Sequence, residues 1–415
     1  GPLAFIIALY ILLTGFGLLL DYLNISRLKT NKGKVPPEFE GRIDSGFLER
    51  SAAYLAENTR FGAVAYSLER VFTLIFILWA LDYYNGWVAS LGLSFTGSGI
   101  VFFILLFYAD AVLTAPLSLF RAFRIEKKYG FNTMTPGLWA TDFVKSTAVS
   151  TVISVAVIYA ALRIIEMSPA LWWFWIWAFF LVFTVFMIYI SPYVIEPLFN
   201  KFEPIDSGLE ARVKEVADRA GIKVKRVLKI DASKRTRHTN AYFTGIGRVK
   251  RIVLYDNLLE ALDTGEILSV LAHEIGHWKR RHILKNLALL EAGALAVLFM
   301  AYILMQGESL NELFNIRGGT FFTKAAALAF MAGIAAAPLE PLLNYISRRR
   351  EYEADAYSCS LTDDPDSMTE ALIKLSKDNL SNLYPHPLYA AFHYSHPPVL
   401  QRIKHINRLL QAATC

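Results

Sequence analysis

Long runs of apolar residues, separated by short polar stretches, fill most of the first half of this chain and return after residue 285. About 20 apolar residues in a helix are needed to cross the roughly 30 Å hydrocarbon core of a bilayer. Seven runs meet that length, near residues 3–23, 66–86, 98–118, 144–165, 171–192, 286–305 and 322–343. The pattern predicts a mainly α-helical polytopic membrane protein with about seven transmembrane helices.

The last two runs are interrupted by small residues, among them Gly293, Ala294 and Gly333. Small residues let helices approach one another closely in a bilayer. The alternative interpretation is that these runs are buried core helices of a soluble domain. Their length, and the five runs that precede them, favour membrane helices.

Residues 193–285 have a shorter-range pattern that is typical of a soluble α+β segment. It predicts an amphipathic helix at 207–220 capped by Ser207 and stopped by Gly221, a strand at 226–230, and strands at 240–244 and 251–255 around Gly245-Ile246-Gly247. A hairpin edge of this kind can bind an extended peptide as an added strand. The alternative is that the hairpin only packs beneath the helix that follows it.

The composition supports a membrane protein, since 54% of the 415 residues are hydrophobic and only 19% are charged. The cysteines are Cys359 and Cys415, so we expect neither a disulfide framework nor a thiolate metal cluster. A net charge of +6 is also seen in proteins that bind nucleic acid. Basic loops that face anionic lipid explain the charge better in a membrane protein, so we expect a lipid bilayer and no nucleic acid as partner.

The basic residues are unevenly divided between the loops. Those after the first and third runs are Arg27, Lys29, Lys32, Lys34, Arg42, Arg50, Arg60, Arg121, Arg124, Lys127 and Lys128. The loop at 85–97 contains no lysine or arginine. The positive-inside rule therefore predicts that the basic loops, residues 193–285 and the C-terminal segment face the cytosol.

Two histidines four residues apart, His273 and His277, carry the clearest chemistry in the chain. Residues i and i+4 lie on one face of a helix, so both can bind one zinc ion. Glu274 is rotated by about 100° around the helix and can reach a zinc-bound water without being a ligand. This HExxH spacing predicts a zinc peptidase site. The alternative is a helix surface that carries two histidines by chance.

The residues before this motif predict a helix start, because Asp263 and Glu266 have the spacing of a capping box. A catalytic zinc needs a third protein ligand and keeps one position for water. Glu351 is the candidate, and Asp355, on the same helix face, can accept a hydrogen bond from the far nitrogen of a ligating histidine. The alternative is an ordinary charged face, which is how we interpret Glu353.

His282 lies five residues after His277, where the metzincin pattern has no ligand. That pattern requires glycine and histidine at positions held here by Arg280 and Ile283. We therefore expect His282 to be a surface residue.

Four stretches together resemble the integral-membrane M48 zinc metalloproteases, specifically the Ste24 group, or CAAX prenyl protease type 1. They are His238-Thr-Asn-Ala-Tyr-Phe-Thr-Gly245, His273-Glu-Ile-Gly-His-Trp-Lys279, Ser347-Arg-Arg-Arg-Glu-Tyr-Glu-Ala-Asp355 and His393-Tyr-Ser-His-Pro-Pro398. The resemblance runs along nearly the whole chain. The related HtpX group shares the zinc motifs but has fewer spans.

The resemblance implies a role for each residue of the site. His273, His277 and Glu351 would bind one Zn²⁺, Glu274 would be the catalytic carboxylate, Asp355 would support a ligand, Asn240 would hold substrate on the edge strand, His396 would lie near the scissile carbonyl, and Arg402 would support that substrate site. The roles of His396 and Arg402 rest on the resemblance alone. It also implies seven long helices around a large water-filled chamber.

The resemblance further implies that the protein removes the aaX tripeptide from prenylated CaaX proteins or peptides. One alternative is a bacterial quality-control protease for membrane proteins with non-prenylated substrates. Another is a seven-helix transporter or receptor with a structural zinc. We expect a bacterial inner membrane or a eukaryotic endoplasmic reticulum membrane, with the active site toward the cytosol.

These expectations divide the chain into four regions. They are 1–192 with helices one to five, 193–285 with the edge hairpin and the zinc helix, 286–346 with helices six and seven, and 347–415 with the third zinc ligand.

Overall fold

The computed structural model describes residues 1–31, 33–244 and 250–413, and helices make up most of them. The first eight are α1 (Pro2–Thr30), α2 (Ser45–Ile75), α3 (Leu81–Ser90), α4 (Phe95–Phe120), α5 (Lys127–Tyr129), α6 (Pro136–Met167), α7 (Trp172–Val194) and α8 (Glu196–Phe199). The next five are α9 (Ser207–Arg219), α10 (Asp256–Ala261), α11 (Thr264–Lys279), α12 (His282–Met305) and α13 (Ser309–Phe314). The last five are α14 (Phe321–Ala336), α15 (Glu340–Thr362), α16 (Pro365–Asp378), α17 (Pro387–His393) and α18 (Val399–Ala413).

Within the described residues, seven helical segments are long and apolar enough to cross a membrane. They are Pro2–Thr30, Ser45–Ser90, Phe95–Tyr129, Pro136–Met167, Trp172–Phe199, His282–Met305 and Phe321–Thr362. Six of the predicted runs lie inside one of these segments each, and the run at 171–192 begins one residue before Trp172–Phe199, so the seven-helix prediction is confirmed. Two segments are longer than a bilayer requires, because 46 and 42 residues of helix extend about 69 and 63 Å.

The overlong helices leave room for structure outside the bilayer. The N-terminal half of α2 reaches the C-terminal segment, where the Ser51 hydroxyl donates to the carbonyl oxygens of Leu380 and Ser381 at 2.9 and 3.1 Å. The C-terminal half of α15 carries Glu351 and Asp355. The last membrane helix therefore continues directly into the candidate metal site.

Between the membrane helices lies a cavity of about 1360 Å³, lined by α2, α4, α14 and the helical segments at 76–80 and 121–126. Its lining is mostly apolar but includes the charged side chains Glu69, Asp110, Arg121 and Glu126. Ionisable residues in membrane helices usually face a water-filled space or one another. The cavity thus combines a mostly apolar lining with four ionisable side chains, and the large water-filled chamber that the resemblance implied stays a prediction.

The soluble segment contains a four-stranded sheet of order β1-β2-β4-β3. Its strands are β1 (Phe202–Pro204), β2 (Val224–Ile230), β3 (Ala241–Thr244) and β4 (Lys250–Tyr255). The antiparallel pairing of β3 with β4 confirms the hairpin, while its turn at 245–249 lies outside the described residues. β3 is an edge strand, and β1 was not predicted.

The amphipathic helix of this segment, α9, forms as predicted but has a different cap. The Asp206 carboxylate, not Ser207, accepts from the backbone N–H groups of Gly208 and Leu209 at 2.9 and 3.1 Å. A carboxylate that precedes the helix meets the unpaired N–H groups of the first turn and the positive end of the helix dipole. The Ser207 hydroxyl lies inside the helix, so it is less well placed to accept from those N–H groups or to interact with the helix dipole.

Helix α11 connects this soluble core to the site. The capping box of Asp263 and Glu266 is confirmed. Ile267, Leu271 and Ile275 are buried in the core shared with α9 and the sheet. This leaves the opposite face of α11, with the two histidines, packed against α15.

Candidate metal centre and active site

His273, His277 and Glu351 lie together, and their candidate ligand atoms are all within 4.8 Å of one another. His273 Nε2 is 3.1 Å from His277 Nε2, and Glu351 Oε1 is 3.1 Å from His277 Nε2. Two nitrogens that each bind a tetrahedral zinc at 2.0–2.1 Å lie about 3.3 Å apart. The arrangement therefore has the spacing that a zinc ion requires.

The chemistry of this cluster also fits a metal. Two imidazoles and one carboxylate form a common donor set of catalytic zinc, as in the His₂Glu peptidases. Glu351 is buried, and its Oε2 atom lies 3.3 Å from His273 Nε2 and 3.9 Å from Arg402 Nη1. A buried carboxylate is costly unless positive charge meets it, and a metal ion between these side chains would supply that charge. The side chains present thus fit the zinc ion that the sequence predicts.

A close approach of two helices brings the ligands together. A Cβ atom added to Gly276 would lie 3.1 Å from Ala354 Cα and 3.2 Å from the Ala354 carbonyl oxygen. The glycine lets α11 and α15 pack backbone against backbone at the level of the site. The Ser358 hydroxyl then donates to the Ser269 carbonyl oxygen at 2.6 Å, two turns away on α11.

The second ring nitrogen of His273 faces a buried ion pair. His273 Nδ1 lies 2.8 Å from Asp355 Oδ1, and the Asp355 side chain is fully buried. Arg402 on α18 donates from Nε to Asp355 Oδ2 at 2.9 Å and from Nη2 to Asp355 Oδ1 at 2.5 Å. Asp355 therefore has the place predicted for a residue that supports a ligand.

The carboxylates of Asp355 and Glu351 stabilise positive charge on the His273 ring. Burial lowers the pKa of His273, but the hydrogen bonds to Asp355 and Glu351 outweigh burial and raise its pKa to about 9. An environment that stabilises a proton on this ring also stabilises a metal cation bound there.

Arg402 is placed to support the ligands, because its contacts are with Asp355 and, at 3.9 Å, with Glu351 Oε2. Its side chain is 12% exposed. This position favours a role in holding the site together over direct contact with substrate.

The second ring nitrogen of His277 faces another histidine. His277 Nδ1 is 3.0 Å from His282 Nδ1, and His282 Nε2 is 3.2 Å from Glu353 Oε2. The expectation that His282 is a surface residue is wrong, since its side chain is only 3% exposed. α11 ends at Lys279, and Arg281, with φ of 56°, turns the chain so that His282 starts α12 beside His277.

Glu274 lies on the same turn of α11 as the two histidines. Burial raises the pKa of its carboxyl group, and the nearby His273 and His277 oppose that shift. A raised pKa suits a carboxylate that accepts a proton and later returns it.

His396 reaches the cluster from the C-terminal segment. Its Nε2 is 3.5 Å from Glu351 Oε1, and 64% of its side chain is exposed. Arg348 Nη1 holds this segment by donating to the carbonyl oxygens of Ala390, Ala391 and Tyr394 at 3.1, 3.2 and 2.7 Å. The sequence pattern gave no sign of this contact, which joins residues more than 40 positions apart.

Asn240 directly precedes edge strand β3, which packs against α11. The exposed Asn240 accepts from Tyr255 N–H through its backbone oxygen at 3.1 Å. Nearby His238 Nδ1 lies 2.7 Å from Asn379 Oδ1, and His238 Nε2 lies 3.5 Å from Glu126 Oε2. The edge strand is thereby tied to both the membrane helices and the C-terminal segment.

Known proteins are similar to this chain along most of its length. Residues 24–201 match the family described as CAAX prenyl protease N-terminal, five membrane helices, and residues 206–410 match peptidase family M48. CAAX prenyl protease 1 of Saccharomyces cerevisiae is 31% identical over 404 residues, covering 90% of this chain and 89% of the yeast protein. This chain belongs to peptidase family M48.

Two further proteins are similar to this chain. The crystal structure of S. mikatae Ste24p has a TM-score of 0.90 and 30% sequence identity, covering 98% of this chain and 99% of that one. The Bacillus subtilis protein named uncharacterized metalloprotease YhfN is 30% identical over 310 residues, covering 74% of this chain and 72% of that protein.

The resemblance drawn from the four motifs is therefore confirmed. The chain is a multi-pass integral membrane protein and a metalloprotease. A transporter or receptor with a structural zinc is not favoured.

Proposed function

We propose that this M48 peptidase holds one zinc ion with His273, His277 and Glu351 and removes the aaX tripeptide from prenylated CaaX C-termini. The observation that carries the proposal is the cluster of three ligand atoms with Glu274 beside it on α11. A structural zinc usually has four protein ligands, whereas this cluster, within the described residues, has three. The substrate part rests on the relatives named CAAX prenyl protease 1.

Zinc, when bound, supplies a Lewis acid that polarises a carbonyl and lowers the pKa of a water toward about 7. Glu274 accepts the proton from the attacking water and delivers it to the leaving amine nitrogen. His396, exposed beside Glu351, donates a hydrogen bond to the carbonyl oxygen as negative charge develops there. Arg402 and Asp355 keep His273 in the orientation in which its Nε2 atom faces the metal.

Edge strand β3 provides the binding surface for the peptide. Its inner side pairs with β4, so its outer side is the place for a substrate strand. The exposed amide of Asn240, at the start of β3, would fix the register of that strand. The peptide would then run along α11 toward the metal ligands.

The basic loops support a cytosolic position for this site, in a plasma membrane or an endoplasmic reticulum membrane. Cysteines introduced in a background without Cys359 and Cys415 would test that orientation. An impermeant thiol reagent should label Arg212→Cys, on the exposed surface of α9, only when it has access to the cytosolic face of the membrane. It should label Leu93→Cys only when it has access to the opposite face. The reverse labelling would overturn the orientation.

Cleavage of a quenched-fluorescent farnesylated CaaX peptide tests the activity. Purified wild type in detergent should cleave it, a zinc chelator should abolish cleavage, and Glu274→Gln should retain zinc while losing at least about 10³-fold in kcat. Wild-type cleavage rates from Glu274→Gln would contradict the mechanism. A matched peptide without the farnesyl group tests the substrate class, since equal kcat/KM for both would favour a general membrane peptidase.

A further inference from the structure

The turn after α11 places a third histidine against the site. His282 is almost fully buried, and its two ring nitrogens face His277 Nδ1 and Glu353 Oε2. Its position depends on Arg281, whose φ of 56° is uncommon for a residue with a side chain. A polar ring kept in a buried place by an unfavourable backbone conformation calls for a reason beyond packing.

The hydrogen-bond pattern fixes which atom donates at each contact. His277 Nε2 faces His273 and Glu351, so a neutral His277 that binds metal there must carry its proton on Nδ1. Among the described residues, the acceptor that faces this Nδ1–H is His282 Nδ1, 3.0 Å away. His282 must then carry its proton on Nε2, where the Glu353 carboxylate accepts it at 3.2 Å.

We propose that His282 is a positioning residue for the metal site, which accepts from His277 Nδ1–H and is itself oriented by Glu353. This inference rests on the proposed zinc function. The pair would hold the His277 ring and its tautomer so that Nε2 presents its lone pair to zinc. It would do for His277 what Asp355 does for His273.

Replacement of His282 tests the acceptor. His282→Phe keeps a ring but offers no acceptor, whereas His282→Asn places an amide oxygen near the position of Nδ1. We expect His282→Phe to bind zinc about 10–100-fold more weakly in a chelator competition, and His282→Asn to stay near wild type. His405→Leu, which removes a histidine that packs on Tyr352 instead, is the matched control.

Replacement of Glu353 tests the direction of the chain of hydrogen bonds, at a side chain that is 49% exposed. Glu353→Lys presents donors to His282 Nε2, which favours a proton on His282 Nδ1 and sets two N–H groups against each other. We expect Glu353→Lys to bind zinc about tenfold more weakly than wild type. Glu353→Gln should bind zinc as tightly as wild type. In a His282→Phe background Glu353→Lys should add little, because the two residues act through one path.

The absorption spectrum of the Co²⁺-substituted protein gives a readout that does not depend on activity. His282→Phe and Glu353→Lys should change the bands of the bound Co²⁺, and His282→Asn should restore them. Zinc binding by His282→Phe within threefold of wild type would overturn the inference, as would equal losses in His282→Phe and His282→Asn. If wild type bound no zinc, the proposed function itself would fail; if His282→Phe did not fold, Glu353→Lys would decide.

Discussion

His273 and His277 lie one turn apart on α11, yet the groups behind their second ring nitrogens are very different. Behind His273, Asp355 is fully buried and is gripped by Arg402 through two hydrogen bonds. Behind His277, the partner is the neutral ring of His282, and the carboxylate of Glu353 comes only after it. The side chain of Glu353 is 49% exposed.

The two ligands therefore differ in how much change their supporting residues tolerate. We call His273 with Asp355 and Arg402 the rigid side, and His277 with His282 and Glu353 the adaptable side. A buried ion pair that loses one partner leaves an uncompensated charge, so the His273 side tolerates little change. The half-exposed carboxylate of Glu353 is solvated whether or not it has a partner. Substitution of Glu353 should therefore cost less than substitution of Asp355.

Glu351 is shared by both sides, so its removal should have the largest effect. We expect Glu351→Ala to lose the zinc of the wild type and, with it, at least about 10³-fold in kcat/KM. Metal analysis of the purified protein and the peptide assay would measure these losses. Retention of one zinc per chain would show that Glu351 is not a ligand.

Asp355 should have the next largest effect, and it defines the rigid side. Asp355→Ala removes both close carboxylate contacts of the buried Arg402 guanidinium and leaves it only the more distant Glu351 Oε2, at 3.9 Å. This should lower the free energy of unfolding by about 3–5 kcal/mol as well as weaken zinc binding. Thermal unfolding in detergent would report the first loss and chelator competition the second. Asp355→Asn also removes the negative charge but keeps an oxygen acceptor, so it should lose most, though not all, of the stability that Asp355→Ala loses. Wild-type stability in Asp355→Asn would contradict the charge argument.

Gly276 tests the contact on which both sides depend. The Cβ atom of Gly276→Ala would meet backbone atoms of Ala354 at 3.1–3.2 Å, and backbone cannot rotate away. Separation of α11 from α15 should cost about 1–3 kcal/mol of stability and move the ligands apart. Gly293→Ala on α12, where a Cβ atom meets nothing within 4 Å, is the matched control. Equal unfolding temperatures for Gly276→Ala and Gly293→Ala would show that the close contact of α11 with α15 does not require a glycine.

Glu353→Gln should have the smallest effect. The amide oxygen still accepts from His282 Nε2–H, and the lost charge is largely solvated. We expect zinc affinity and kcat/KM within about threefold of wild type. A loss as large as that of Asp355→Ala would show that the two sides are equivalent after all.

Much of this site could be predicted because its parts are local in sequence. The i and i+4 spacing of His273 and His277 fixes their common face, and the capping box of Asp263 and Glu266 fixes where their helix begins. Asp355 follows Glu351 by the same spacing on α15. The seven membrane helices were equally predictable, since length and apolar composition suffice for them.

Apart from the α9 cap, which shifts by one residue to Asp206, the misses at the site depend on contacts between distant residues or on a local turn. No pattern marked Arg281 as a residue with positive φ, so nothing indicated that His282 turns back to His277. The grip of Arg402 on Asp355 joins residues 47 positions apart. The hold of Arg348 on the segment before His396 is also long-range. Such contacts depend on helix packing, which single-sequence periodicity does not contain.

X-ray absorption at the zinc K edge of the purified wild-type protein tests the central claim most directly. The account predicts one zinc per chain with two imidazole ligands, the remainder oxygen, and no sulfur. A water oxygen among these ligands would mark the open position that a peptidase requires. A zinc with four protein ligands, or a folded protein that binds none, would contradict the account.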